Sequence, residues 1–206
     1  MPDVDPANGV VYPLFVQDAI SSNQVLISAS LRFNDILDAE TLRASLSRLL
    51  TIGHWQKLAG RLHKRANGRL VLQVPKTFKS ECPDVAFVSK TYDEEIDNHS
   101  LGKLYPKSTQ VASTQPLEKS IRPLLVPPGF PATFDELATK RWPQLTLFVS
   151  SFNDATIVSI LWPHTLLDAS AFRSLLKNWS LVLAGREDQV ETVRTFWIII
   201  ACRGGA

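Results

Sequence analysis

Cysteine is scarce in this chain, with only Cys82 and Cys202 among 206 residues. Two cysteines so far apart make neither a disulfide framework nor a zinc site, and they fit a reducing, cytoplasmic setting. Charge of one sign is missing as well. Twenty-two Lys plus Arg stand against 20 Asp plus Glu, a formal +2, and no stretch gathers the basic residues. Charge-driven binding to nucleic acid or to an anionic membrane is therefore not expected. The longest apolar run near the end, Phe196 to Ala201, is far too short to cross a bilayer. The opening MPDVDPANGVVYPLF lacks a basic segment followed by an apolar one, so it does not read as a secretory signal. There is no Gly-rich loop to cradle a phosphate and no cluster of metal ligands, so no permanently bound cofactor and no metal are expected. Internal repeats and low-complexity tracts are absent too. What is present is a 45% apolar and 20% charged composition, enough to build the core of one ordinary domain.

Local patterns give that domain its elements. From Val25 to Phe33 the residues alternate, with Val25, Ile27, Ala29, Leu31 and Phe33 on one face and Ser28, Ser30 and Arg32 on the other, which predicts a half-buried strand. A helix signal follows at once. Asp38 is placed to cap, Glu40 suits the first turn, Leu42, Leu46, Leu49 and Leu50 form an apolar stripe, and Gly53 is a natural stop. The stretch Gly60 to Val74 reads as a hairpin, with Asn67 and Gly68 in a type I′ turn. Nine of the 13 prolines lie between Pro75 and Pro143, so only short pieces are expected there, a strand at Ala86 to Thr91 and a helix at Phe134 to Arg141. Leu145 to Phe152 and Ala155 to Trp162 read as two strands joined tightly at Asn153 and Asp154. The second is almost wholly apolar, as a central strand covered on both faces should be. A further helix starts with Asp168 as its cap, buries Phe172, Leu175, Leu176, Trp179 and Leu183, and closes at Gly185.

Chemistry points to the junction of that strand and helix. Of the four histidines (His54, His63, His99, His164), only His164 has an acid four residues later, Asp168. The bare spacing is a weak signal. Its place is informative, because a side chain at the end of a covered strand is held firmly while projecting past the sheet. A neutral imidazole there can take a proton from a hydroxyl or amine as it attacks a carbonyl, an action worth about 10²–10⁴ in rate. Asp168, one turn on, can brace the loop by capping the helix or pairing with a buried cation. The alternative reading is an ordinary histidine beside an ordinary capping aspartate.

Three stretches carry a resemblance. WPHTLLDASAFRSLLKNWSLVLAGRE is similar to the HxxxD block of the BAHD-type acyltransferases, in particular fungal members that acylate secondary metabolites. HWQKLAGRLHKRANGRLVLQV resembles their early LAGRL hairpin. LTLFVSSFND followed by ATIVSILWPH resembles the strand, turn and strand that deliver the motif histidine. The match runs in order from about Val10 to Glu187. It implies an α/β, chloramphenicol-acetyltransferase-like fold, a mixed sheet with flanking helices, of which this chain is one N-terminal domain of a normally two-domain arrangement. It further implies acyl-CoA as co-substrate and a small-molecule hydroxyl or amine as acceptor, with His164 as general base and Asp168 as orienting partner. On this reading residues 1–187 are the acyltransferase-like domain, with an irregular Pro-rich middle at 75–143, and 188–206 are the start of a crossover with an atypical tail.

The resemblance has departures. Ala169 stands where the family commonly has glycine, and Pro163 stands where condensation domains carry a second histidine. No DFGWG-like motif occurs, as it should in a second half. The chain thus reads as truncated, with a large apolar patch exposed and self-association able to replace the missing wall. Two other readings stay open: a catalytically inactive binding module or incomplete product, and a condensation-type domain using carrier-bound acyl groups.

Other residues take plainer readings. The tryptophans (Trp55, Trp142, Trp162, Trp179, Trp197) are expected in the core rather than as stacking platforms. Arg61, Lys64, Arg65 and Arg69 form a solvated basic face of the hairpin in preference to a site for a CoA phosphate. Gly129 and Gly185 are turn and cap residues, and His54 and His63 receive no role.

Overall fold

Alternating and continuous apolar runs sort the strands into two sheets. The computed structural model describes residues 3–5, 9–14, 20–65, 67–79 and 83–191. In chain order the elements are β1 (Asp3–Asp5), β2 (Gly9–Pro13), β3 (Leu26–Phe33), α1 (Ala39–Leu49), β4 (Arg61–Lys64), β5 (Leu70–Val74), β6 (Ala86–Thr91), α2 (Arg122–Leu125), α3 (Phe134–Thr139), β7 (Thr146–Ser151), β8 (Thr156–Pro163) and α4 (Ala169–Leu183). The smaller sheet runs β1-β2-β5-β4 and is antiparallel throughout. The larger runs β3-β8-β7-β6 and is mixed, because β6 lies parallel to β7 while the other pairs are antiparallel.

The larger sheet is built around β8, every residue of which is buried. The strand is almost wholly apolar because both faces are covered. Helices α1 and α4 cover one face, where Leu46, Leu49, Val149, Val158, Ile160, Trp162, Leu175 and Trp179 share the main core. On the other face Ile96, Leu124, Phe152, Ala155 and Ile157 form a second cluster. The two helices are also tied by Trp179 Nε1, which donates to Ser45 Oγ at 2.8 Å. Both start as their sequences predict, Asp38 accepting from Thr41 N at 2.6 Å and Asp168 from Ala171 N at 2.7 Å. A third cluster (Leu62, Phe134, Leu137, Ala138) takes in Leu26 of β3, and so joins the small sheet to the large one.

Four expectations change. The hairpin between β4 and β5 has no type I′ turn. Among the described residues of the loop only Gly68 takes a positive φ, 79°, and Arg65 N bonds Arg69 O while Gly68 N bonds Arg65 O. This is the longer loop with a single left-handed glycine. Arg61 does not belong to a solvated basic face. It is 4% exposed, and its guanidinium donates to the carbonyls of Ala59, Gly60 and Pro83. Lys64, Arg65 and Arg69 are exposed. The apolar face of β3 is buried only in part. Ile27 and Ala29 pack on the core, whereas Leu31 and Phe33 are each 38% exposed, and Leu183, expected on the buried face of α4, is 42% exposed, because α1 and α4 leave a groove beside them. Finally, α1 ends at Leu49, and Gly53 (φ 53°) opens a short 3₁₀ stretch, Gly53–Ala59, that buries Trp55.

Trp55, Trp162 and Trp179 are buried and Trp142 is half-buried. Gly129 and Gly185 both take positive φ, as turn and cap positions should. Trp197, Cys82, Cys202 and the run Phe196 to Ala201 lie outside the described residues. The final segment is described as far as Glu191, whose N–H donates to the buried Asn178 Oδ1 at 2.7 Å. Among the described residues no helix is long and apolar enough to cross a membrane.

Candidate functional site

Strand β8 delivers His164. Its last residue, Pro163, stands opposite Leu26 of β3, and His164 N continues the ladder by donating to Val25 O at 2.8 Å. Bonded positions alternate along an antiparallel pair, so Pro163 falls where no N–H is required. The chain then turns back, with Leu166 N bonded to Pro163 O at 2.8 Å. Leu166 and Leu167 are each 1% exposed and pin the loop into the main core. Asp168 ends the loop and starts α4. Thus two apolar anchors, one cap and one ladder bond fix the backbone on either side of the histidine.

The His164 ring is half-buried, and its Nδ1 lies 3.2 Å from Leu167 O. A carbonyl oxygen only accepts, so in the neutral ring this contact requires the proton on Nδ1 and leaves the lone pair on Nε2. The arrangement presents one basic nitrogen. Leu167 O also receives Trp162 Nε1–H at 2.9 Å, a second anchor that the HxxxD spacing gives no hint of. No hydrogen bond joins Asp168 to His164, and among the described residues no cation pairs with Asp168. The two motif residues therefore meet through the loop and not through their side chains.

Clefts border the segment that precedes and forms β3. A cleft of mixed polar and apolar lining, about 530 Å³, lies between the β4–β5 hairpin and α3, lined by Gln24, His63, Lys64, Phe134 and Arg141 among others. Gln24 is next to Val25, the residue bonded to His164 N. An apolar groove of about 470 Å³ runs between β3 and the two long helices, lined by Leu31, Phe33, Leu42, Leu176, Trp179 and Leu183 among others. A third, about 410 Å³, includes Ser28, Ser30, Tyr105, Leu117 and Leu125. His164 lines none of these three. Among the described residues no group of three His, Cys, Asp or Glu side chains converges as a metal site would need. His54 is exposed, and His63 lines the first of these clefts.

No protein-family model matches the chain. It is 38% identical over 174 residues to the O-acetyltransferase PaAT-2 of Phomopsis amygdali, covering 84% of this chain and 36% of that protein. To the acetyltransferase pyiB of Pyricularia grisea it is 35% identical over 179 residues, covering 86% and 36%. The chain thus spans little more than a third of the length of these relatives. Among solved structures it superposes on TRI101 of F. sporotrichioides, complexed with coenzyme A and T-2, with a TM-score of 0.54 at 15% identity, covering 85% of this chain and 41% of that one. The condensation domain of the Monacolin K polyketide synthase MokA gives 0.54 at 13% identity, covering 85% and 34%. In sequence, then, this chain is similar to fungal acetyltransferases, and in fold it is a chloramphenicol-acetyltransferase-like α/β domain with a mixed sheet and flanking helices.

Proposed function

We propose that the chain carries the general base of an acyltransferase that moves an acyl group from acyl-CoA to a hydroxyl or amine of a small-molecule acceptor. The observation that carries this reading is the 3.2 Å contact between His164 Nδ1 and Leu167 O. With Nδ1–H committed to Leu167 O, Nε2 is the free basic nitrogen, and the loop that holds it is anchored on both sides. Similarity to fungal O-acetyltransferases supplies the reaction class. In the reaction Nε2 takes the acceptor proton as the acceptor oxygen or nitrogen attacks the thioester carbonyl. The tetrahedral intermediate then collapses, the carbon–sulfur bond breaks, and the departing thiolate receives the proton from the imidazolium. No covalent acyl-enzyme is formed. Acyl-CoA is a co-substrate here and not a resident group, and Asp168 acts by holding the loop.

The test is thiol release from acetyl-CoA in the presence of a panel of alcohols and amines. Wild-type chain should release CoA only when an acceptor is present, and His164→Ala should lose about 10²–10⁴ of that rate with its circular dichroism unchanged. Full turnover by His164→Ala refutes the assignment. The fold shared with condensation domains supports a second reading, in which the donor is a carrier-bound acyl group. Turnover with an acyl carrier protein and none with free acyl-CoA selects it. A folded chain inert to both donors would instead point to a binding role without catalysis.

A further inference from the structure

The loop carrying His164 is closed by a donor that the acyl-transfer reading leaves unused. Trp162 lies two residues before the histidine on β8. It is 4% exposed, packs in the main core, and stacks on Phe172 of α4 with ring centroids 4.5 Å apart and planes 16° apart. Its indole is a donor without an acceptor site, and it donates to Leu167 O at 2.9 Å. The same oxygen is the partner of His164 Nδ1 at 3.2 Å. A carbonyl oxygen has two lone pairs, so both donors are accommodated at once. Leu167 is itself buried, so this carbonyl is a fixed joint between a rigid indole and a half-buried imidazole.

We propose that Trp162 is a positioning residue for His164, acting through the shared Leu167 carbonyl to hold the imidazole as its Nδ1–H tautomer. With the indole bond in place, one lone pair of Leu167 O is taken and the peptide plane cannot rotate. The other lone pair is then left directed at His164. Without it the Leu167 carbonyl loses one restraint on its direction, the imidazole proton is less firmly held on Nδ1, and the fraction protonated on Nε2 cannot accept a proton from an acceptor hydroxyl. The kinetic consequence rests on His164 being the base, as proposed above. The tautomer itself does not.

Trp162→Phe keeps a ring against Phe172 and removes the N–H. Imidazole nitrogen NMR of the labelled chain, with His164 assigned by its loss in His164→Gln, reads the tautomer directly. The wild type should show a protonated Nδ1 and a bare Nε2, and Trp162→Phe should show both nitrogens at intermediate shifts. In the thiol-release assay kcat should fall about three- to ten-fold while KM stays within about two-fold. Replacing the indole by benzothiophene, which keeps both fused rings and lacks the N–H, should reproduce these changes, and decides the matter if Trp162→Phe does not fold. Phe172→Leu, which disturbs the stack but not the donor, should leave the tautomer unchanged. An unchanged Nδ1–H tautomer in the N–H-free variants overturns the proposal, as does an Nε2–H tautomer in the wild type. If His164→Ala retains full turnover while the tautomer shifts as expected, the general-base reading fails and the positioning role stands.

Discussion

Asp168 acts where its oxygen is. Oδ1 accepts from Ala171 N at 2.7 Å, and that bond starts α4 at the point where the His164 loop ends. Losing such a cap costs about 1 kcal/mol, and an amide oxygen supplies nearly the same bond. Asp168→Ala should therefore lower the free energy of urea unfolding by about 1 kcal/mol, while Asp168→Asn should stay within a few tenths. An Asn variant as damaged as the Ala variant would mean that the negative charge has work beyond the cap. Thr165 poses the opposite case. Its hydroxyl is enclosed with no hydrogen-bond partner among the described residues. An unmet buried polar group costs about 1–3 kcal/mol. Thr165→Val should raise the urea midpoint by the equivalent of about 1 kcal/mol, and a lower midpoint would reveal a partner for the hydroxyl. At this scale the sequence was readable for residues whose role is local. Asp38 and Asp168 cap because each sits just before an apolar helical stripe. Arg61 was misread because the carbonyls it serves include that of Pro83, 22 residues away. A charge looks solvated until its distant partners are known.

Elements were legible in proportion to their period. β8 and its partner β7 announce themselves by two runs rich in strand-favouring residues, separated at Asn153 and Asp154, and β3 by its alternation. β2 gave no such signal. Gly9 to Pro13 is five residues with a glycine at one end and a proline at the other, and it becomes a strand through pairing with β5. Nor does Asn67-Gly68 state how many residues its loop holds. The register of β4 on β5 settles that, from Arg61 opposite Gln73 to Lys64 opposite Leu70. The weak signal at β2 hides a tight constraint. Gly9 has φ 105°, and a Cβ there would lie 2.1 Å from Val74 O. Gly9→Ala should therefore cost at least about 2 kcal/mol by forcing β2 off β5. Urea unfolding checks this, with hydrogen exchange at Leu72 and Val74, whose N–H groups face β2, localising the damage; an Ala variant of wild-type stability would contradict the packing of this edge.

Over the whole molecule, exposed carboxylates tune stability. Hydrogen bonds from Arg48 to Glu187, Lys140 to Glu136, Lys107 to Asp97, Lys177 to Glu191 and Thr41 to Asp38 each hold the carboxyl below its ordinary value. A carboxylate depressed in the folded state contributes its full stability above the unfolded value, near 4, and loses it as the pH falls through the folded one. The urea midpoint should hold between about pH 7 and 5 and decline below about pH 4.5. A midpoint that rises on acidification would contradict these pairings. High salt should blunt the decline, since all five carboxylates face solvent. The outer surface of β3 belongs to this scale too. The sequence places Leu31 and Phe33 on an inward face, but only the assembled α1 and α4 reveal that the face stops short and leaves a groove.

As proposed here, His164, with its proton held on Nδ1, takes a proton from an acceptor as an acyl group leaves CoA. Acceptor-dependent thiol release from acetyl-CoA by wild type and His164→Ala, both with intact circular dichroism, measures it most directly. Turnover is expected of the wild type, with a loss of about 10² or more in the variant. Equal rates in the two proteins, or a folded wild type that never releases CoA with any acceptor, would contradict it.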